Sequence, residues 1–107
     1  MTKSSGTPQL RLPRLRDIGW KLWDPIGLLG PEDNWQDEEC APFADEYDAY
    51  LQTAAVMLRR GEERRRVVDY LVQVEAVHMG LGERTSSRKR AEDVADAIIG
   101  DKGLWTH

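Results

Sequence analysis

The sequence predicts an all-α fold, a compact domain of four helices. Apolar residues recur at spacings of three and four positions in four separate stretches, and no stretch has a convincing strand pattern. The connections between helices 2, 3 and 4 are short, which favours antiparallel neighbours, whereas a long acidic loop joins helix 1 to the others. A chain of 107 residues suits one small domain with a single core.

Helix 1 is expected to run from Leu12 to Trp23. Pro13 is tolerated in a first helical turn, and Pro25 ends the helix because the residue before a proline is pushed out of the α region. Trp20 lies off the apolar stripe of this helix. Two alternatives follow for its side chain: an exposed anchor at an interface, or a cover for the loop that comes next.

The long loop extends from Ile26 to Pro42 and is punctuated by Gly, Pro and Asn. Loops of this length are uncommon in a small domain and are either functional or mobile. Trp35 lies in the middle of the loop and is expected to pin it by inserting into the core. Between Asp24 and Leu58 the chain carries nine acids and no Lys or Arg.

Helix 2 has the most regular apolar pattern in the chain. Its predicted core positions are Tyr47, Tyr50, Leu51, Ala54, Ala55 and Leu58. Asp45 is the expected N-cap, and Glu46 and Asp48 would lie in the first turn, where the helix dipole favours negative charge. Gly61 is the expected C-terminal stop.

Helix 3 is expected to begin near Glu62 and to be stopped by Gly80 and Gly82. Its predicted core positions are Val67, Tyr70, Leu71, Val74, Val77 and His78. Helix 4 begins after three candidate capping residues, Thr85-Ser86-Ser87, and ends at Gly100. Its predicted core positions are Ala91, Val94, Ala95, Ile98 and Ile99.

The folded domain is expected to span residues 12–100. Residues 1–11 form a predicted disordered tail, and residues 101–107 form a C-terminal tail in which Trp105 covers the core. No apolar run approaches the ~20 residues that span a bilayer, and the N-terminus lacks the apolar stretch of a secretory signal. The single cysteine, Cys40, excludes an intrachain disulfide, so a reducing, cytoplasmic location is expected.

The net charge of −4 conceals separated blocks. A net-acidic domain is a poor general nucleic-acid binder, so a charged protein partner or internal pairing is favoured. The basic run from Arg59 to Arg66 is interrupted by two acids and is expected to pair with the acidic loop. A second basic cluster, residues 84–90, lies beside a helix N-terminus that could hold a phosphate, but the chain has no Gly-rich phosphate loop.

Three short motifs resemble a family of small bacterial all-helical proteins of unknown function. They are Trp23-Asp24-Pro25-Ile26-Gly27, Asp45-Glu46-Tyr47-Asp48-Ala49-Tyr50 and Met79-Gly80-Leu81. The resemblance covers residues 15–99 and implies an all-α fold and a bacterial origin. It implies no activity and no catalytic residues. The loop between the first two motifs is longer and more acidic than the family pattern.

The acids around Tyr47 have three alternative explanations. They could cap a helix, dock a basic partner, or hold a cation through Asp24, Asp45 and Asp48. His78 lies near Glu75, but no second catalytic partner is identifiable and the His and Cys residues lack zinc-site spacing. We therefore predict no catalytic residue and no cofactor.

The preferred hypothesis is a non-enzymatic interaction module whose acidic face docks a basic protein, with an immunity- or antitoxin-like role as its concrete version. The predicted partner-binding residues are Trp20, Trp35, Asp45, Glu46 and Asp48. A small-ligand or divalent-metal-binding protein is the alternative. A third possibility is a structural homodimer formed through apolar surface on helices 3 and 4. No membrane partner is expected.

Overall fold

The computed structural model describes residues 9–30 and 32–105. Its α-helices are α1 (Leu12–Leu22), α2 (Asp48–Arg59), α3 (Arg64–Gln73) and α4 (Ser87–Gly100). A 3₁₀ turn (Glu38–Phe43) precedes α2, and a π turn (Val74–His78) continues α3. Within the described residues the β-structure is limited to one isolated bridge, between Leu10 and Trp105. The all-α prediction is confirmed.

Helix α1 ends at Leu22, where the carbonyl of Gly19 accepts hydrogen bonds from the backbone N–H groups of both Trp23 and Asp24, each at 3.0 Å. Asp24 then takes a positive φ of 31°, a conformation that Asp tolerates better than most residues. Gly19 packs closely against α2, because a Cβ at this position would collide with a terminal methyl group of Leu51 and force that side chain to shift.

Helix α2 ends as the sequence predicts. The N–H of Glu62 donates to the carbonyl of Met57 at 3.0 Å, and the N–H of Gly61 donates to that of Leu58 at 3.1 Å. This pair of bonds is the Schellman motif, and Gly61 supplies the positive φ of 90° that the motif requires.

The start of α2 differs from the prediction. The helix begins at Asp48, and Tyr47 occupies the N-cap position without any side-chain cap. Asp45 is therefore not the N-cap, and Glu46 lies before the helix instead of in its first turn. The reason is a preceding turn, in which the N–H of Glu46 donates to the carbonyl of Phe43 and the N–H of Asp48 donates to that of Asp45.

The core-facing pattern of α3 holds as far as Val74 and then fails. Val77 is 65% exposed and His78 is also exposed, although both were predicted to face the core. In the π turn the N–H of Met79 donates to the carbonyl of Val74, five residues back. This wider turn shifts the side-chain register after Glu75, so Val77 and His78 face solvent. Glu75 itself still follows the regular spacing of Val67 and Leu71 and is buried.

Helix α4 begins at Ser87, inside the Thr85-Ser86-Ser87 run that was expected to precede it, and no side chain caps its N-terminus. It ends at Gly100, as predicted, and four of its five predicted core positions are buried. Ala91, Val94, Ala95 and Ile98 are buried. Ile99 is 55% exposed and is a correction to the predicted stripe. The helix pairs α3–α4, α1–α4, α1–α2 and α2–α3 are in contact around one core. The antiparallel order of α2, α3 and α4 stays a prediction.

The chain segment after α4 packs against the core. Leu104 is fully buried, and its carbonyl accepts a hydrogen bond of 2.8 Å from the N–H of Arg11. Trp105 is half-buried against the core, as the sequence predicts. Residues 1–8 and 106–107 of the two predicted tails lie outside the described residues. None of the described helices has the length and apolar character needed to cross a membrane.

Candidate partner-binding face

Residues 32–48, here called the acidic face, present a dense array of carboxylates to solvent. The exposed acids are Glu32, Asp33, Asp37, Glu38, Glu39, Asp45 and Glu46. No Lys or Arg occurs in this segment. The face lies between α1 and α2, and four contacts, described next, hold it against the helices.

The first contact joins Asp24 to Tyr47. The buried Tyr47 hydroxyl donates to the Asp24 carboxylate at 2.8 Å and accepts the N–H of Ile26 at 3.2 Å. The same carboxylate accepts the N–H groups of Leu28 and Leu29 at 3.0 and 3.1 Å. Burial, together with the hydrogen bond to Asp24, raises the pKa of Tyr47 far above its usual range, so the hydroxyl keeps its proton. Asp24 therefore fastens the start of the loop to the start of α2.

The second contact is made by Trp20, which is only 6% exposed. Its indole N–H donates to the carbonyl of Ala44 at 3.1 Å, and its ring packs against the rings of Phe43 and Tyr47 at 5.6 and 4.7 Å between centroids. Of the two alternatives for Trp20, an exposed interface anchor or a side chain that covers the loop, the structure shows the second. Trp20 is therefore not the exposed interface anchor of the first alternative, and it supports the acidic face from beneath.

The third contact is made by Trp35, which is half-buried at the edge of the core. Its indole N–H donates to the carboxylate of Asp17 at 2.8 Å. The guanidinium of Arg16 lies over the ring, 5.4 Å from the centroid. Trp35 does pin the loop, but it does so against the surface of α1 and not by full insertion into the core.

The fourth contact is a two-bond ion pair between Arg16 and Asp48, with N–O distances of 3.0 and 2.6 Å. Both side chains are about one-fifth exposed. Asp48 is therefore already neutralised within the chain, which corrects its predicted role as a free contact for a partner. Asp45 and Glu46 remain exposed, and neither forms an ion pair with any described residue.

The metal-binding alternative finds no geometric support. Among the described residues no group of three His, Cys, Asp or Glu side chains is arranged to hold a metal ion. Asp24 is committed to Tyr47 and two backbone N–H groups, and Asp48 is committed to Arg16. The candidate ligands Asp24, Asp45 and Asp48 therefore do not form a cation site.

Cys40, on the 3₁₀ turn beneath the face, is 4% exposed. Burial raises the pKa of its thiol, and the nearby charges of Asp33, Asp37 and Glu39 raise it further. The protonated thiol is a small apolar group in this position and has little nucleophilic character.

A second cluster of charges, which the sequence analysis missed, lies around Glu75. Its carboxylate is fully buried and accepts a hydrogen bond of 2.5 Å from the hydroxyl of Ser87. The guanidiniums of Arg84 and Arg90 contact the same carboxylate at 3.0 to 3.3 Å. These two arginines also donate to the carbonyls of Pro25 and Trp23, respectively, at 2.7 and 3.3 Å. The cluster thus ties the end of α1, the π turn and the start of α4 together.

Burial by itself would raise the pKa of Glu75. The hydroxyl of Ser87 and the two guanidiniums outweigh it, so the pKa lies below its ordinary value and the carboxylate stays charged. Arg84 and Arg90 are therefore used within the chain, which counts against the alternative that this basic cluster holds a phosphate. A sequence signal existed: Glu75 lies four and eight residues after the buried Leu71 and Val67, on the core side of α3.

Five other ion pairs among the described residues lie outside both the acidic face and the Glu75 cluster. They are Arg14–Asp101, Arg60–Glu62, Arg64–Asp96, Arg88–Asp69 and Lys89–Asp93. Arg59 instead lies over the ring of Trp105, 4.7 Å from the centroid. The predicted pairing of the Arg59–Arg66 run with the acidic loop is therefore wrong among the described residues, because these bases lie on the far end of α2 and on α3. Across residues 9–30 and 32–105, Arg16 is the single base that forms an ion pair with the face.

No protein-family model, curated protein or solved structure matches this chain. The resemblance to small bacterial helical proteins stays a prediction that rests on the three quoted motifs.

Proposed function

We propose that this protein is a non-enzymatic binding module and that its acidic face docks a basic protein partner. The observation that carries the proposal is the array of seven exposed carboxylates on a segment without any base, held in place by contacts to α1 and α2. Like charges gathered in this way repel one another, and a basic partner would relieve that repulsion.

The manner in which the face is held supports the proposal. Hydrogen bonds from two indoles and one phenol, together with one ion pair, attach it to the helices, so little further ordering is needed when a partner binds. Electrostatic steering by such a face raises the rate of association with a basic protein, and this effect weakens as salt screens the charges.

An immunity- or antitoxin-like role is the concrete form of the proposal. In that role the carboxylates would cover a basic active site in a bacterial enzyme and block its substrate. The proposal includes a cytoplasmic setting, which is expected from the sequence, and a bacterial origin, which the resemblance to the family of small helical proteins implies. The contacts on the partner would come from exposed acids such as Glu38, Glu39 and Glu46, with Asp45 beside them.

The test begins with affinity capture from a lysate of the source cells at low and high salt. We expect a basic protein that is retained at low salt and released at high salt. Its affinity for the wild-type chain is then compared with that for Glu39→Lys/Glu46→Lys. This variant should bind at least about tenfold more weakly, because each reversed contact costs on the order of 1 kcal/mol or more.

The matched control is Glu63→Lys/Glu83→Lys, which changes the net charge equally at two exposed positions outside the acidic face. At the same moderate salt concentration as wild type it should bind within about twofold, because at about 0.1 M salt charges farther than ~10 Å from the contact are largely screened. Equal losses in both variants would show that net charge matters and that the face does not. Unchanged binding and unchanged salt dependence in Glu39→Lys/Glu46→Lys would overturn the proposal.

A further inference from the structure

We propose that a cleft between α1 and the acidic face receives an arginine side chain of the partner. This inference rests on the proposed function and names the contact that would give the docking its specificity. The cleft has a volume of about 530 Å³. Its lining includes Asp17, Trp20, Lys21, Asp24, Asp33 and Trp35.

The cleft is a preformed concavity with fixed walls. The indoles of Trp20 and Trp35 form part of the wall, and their N–H groups are held by Ala44 and Asp17. Asp17 and Asp33 are exposed, so the cleft opens to solvent at the carboxylates. A side chain from a docked protein could therefore enter it without a rearrangement of the loop.

The residues that line the cleft carry a net negative charge, and Arg14 outside the lining interacts electrostatically with Asp17 without forming an ion pair with it. Three carboxylates line the cleft against a single base, Lys21, and no described Lys or Arg forms an ion pair with any of the three. Asp17 and Asp33 accept hydrogen bonds only from neutral donors, the Trp35 indole and the backbone N–H of Gly30. Each uses one oxygen for this purpose, so from the described part of the chain the second oxygen receives no hydrogen bond.

Carboxylates beside indole rings suit a planar organic cation. A guanidinium can stack on an aromatic ring while its N–H groups bond to carboxylate oxygens, whereas an ammonium is a more strongly hydrated point charge. The described residues offer no metal-ligand cluster, and an anion would be repelled. The ligand class that fits is therefore a guanidinium on a flexible stem, which is the side chain of arginine.

Arg16, the neighbour of Asp17, already shows how a guanidinium binds a carboxylate and an indole ring in this chain. Arg16 makes two hydrogen bonds to Asp48 and lies over the ring of Trp35, 5.4 Å from its centroid. The same indole also lines the cleft. We infer that a second guanidinium, brought by the partner, would repeat this arrangement with Asp17 and Asp33 as its carboxylates.

The experiment uses a small probe, so it does not depend on the unidentified partner. N-acetyl-arginine amide is titrated into the ¹⁵N-labelled full chain, and the indole N–H signals are followed by NMR. We expect saturable shifts at Trp20 and Trp35 and no shift at Trp105, which lies on the opposite end of α2 beside Arg59. N-acetyl-lysine amide should bind several-fold more weakly, and the citrulline analogue, which is neutral and of similar shape, should not bind.

Two double variants with equal charge change locate the site. Asp17→Asn/Asp33→Asn keeps an oxygen acceptor for the Trp35 indole and the Gly30 N–H but removes the charge, so arginine affinity should fall about tenfold. Glu39→Gln/Glu46→Gln removes two charges of the acidic face that do not line the cleft, and its affinity should stay within about twofold of wild type.

The outcomes separate this inference from the proposed function. If the Trp20 and Trp35 signals do not move, or if citrulline binds as well as arginine, the cleft is not an arginine site. This conclusion holds even if the captured partner still depends on Glu39 and Glu46, in which case docking stands without the cleft. If arginine shifts both indoles but charge reversal on the face leaves partner binding unchanged, the cleft stands and the proposed docking fails. Equal binding of lysine would overturn the guanidinium preference.

Discussion

The acidic face and the Glu75 cluster use the same chemical group in opposite ways. The face carries seven exposed carboxylates, and within the described residues none of them forms an ion pair. Glu75 is a single carboxylate that is fully buried and contacts two guanidiniums and one hydroxyl. The carboxylates of the acidic face are solvated by water, whereas the Glu75 carboxylate is solvated by its protein partners in the core.

The difference shows how burial assigns a role to a carboxylate. A buried charge is tolerated only if hydrogen bonds and opposite charges replace the water that it loses, so the partners of Glu75 are fixed and serve the fold. An exposed carboxylate is solvated without any partner and stays available for a second molecule. Stability is therefore expected to depend on Glu75, and recognition on the face.

The largest expected effect comes from Glu75→Gln. The substitution removes the negative charge with which Arg84 and Arg90 form ion pairs. The unfolding free energy should therefore fall by about 3–5 kcal/mol. Urea unfolding at pH 7 measures the loss. The matched control is Glu83→Gln, an exposed change that should stay within ~0.5 kcal/mol. A loss for Glu75→Gln as small as that of its control would show that the cluster contributes nothing.

The loss of unfolding free energy in Glu75→Gln should depend on pH, because it depends on the charge of the Glu75 carboxylate. The pKa of Glu75 in the folded chain lies below its ordinary value, which is about 4.3 for an unfolded Glu. The stabilisation is therefore fully present above that value and disappears as the pH falls through the lower, folded pKa. The difference in unfolding free energy between wild type and Glu75→Gln should be constant from pH 7 to about pH 5 and shrink below about pH 4. A difference that persists unchanged at the lowest pH at which both fold would contradict it.

A smaller loss of unfolding free energy is expected at Tyr47, which attaches the acidic face to the end of α1. Tyr47→Phe removes the hydroxyl that joins Asp24 to the N–H of Ile26, and leaves both groups short of one partner. Unfolding free energy should fall by about 1–3 kcal/mol, and the Ile26 amide should exchange its hydrogen faster. The control is Tyr70→Phe, whose hydroxyl forms no hydrogen bond with other described residues. If both variants lose the same free energy, the attachment does not depend on this hydroxyl.

The smallest effect on stability is expected on the face itself. Glu38→Gln/Glu39→Gln removes two exposed charges that have no ion-pair partner in the described chain. Unfolding free energy should change by no more than ~0.5 kcal/mol, with a slight gain at low salt because repulsion is reduced. Thermal unfolding at two salt concentrations tests this. A loss comparable to that of Tyr47→Phe would mean that the carboxylates of the face hold the fold.

The sequence alone predicted the features that depend on near neighbours in the chain. Helix 1 stopped shortly before Pro25, Gly61 supplied the positive φ after α2, and α4 began within the Thr85-Ser86-Ser87 run. The negative charge of the acidic segment was also evident. These features were predictable because periodicity, capping and composition act over a few residues.

The tertiary structure decided which side chains meet. The burial of Trp20, the pairing of Arg16 with Asp48 across 32 positions, and the meeting of Glu75 with Arg84 and Arg90 all depend on how separate helices pack. The π turn also shifted the side-chain register beyond α3, so Val77 is exposed, although Glu75 is buried at the spacing that the sequence predicts. Local pattern cannot specify such contacts, because a charged or aromatic side chain has many candidate partners until packing brings one of them within hydrogen-bonding distance.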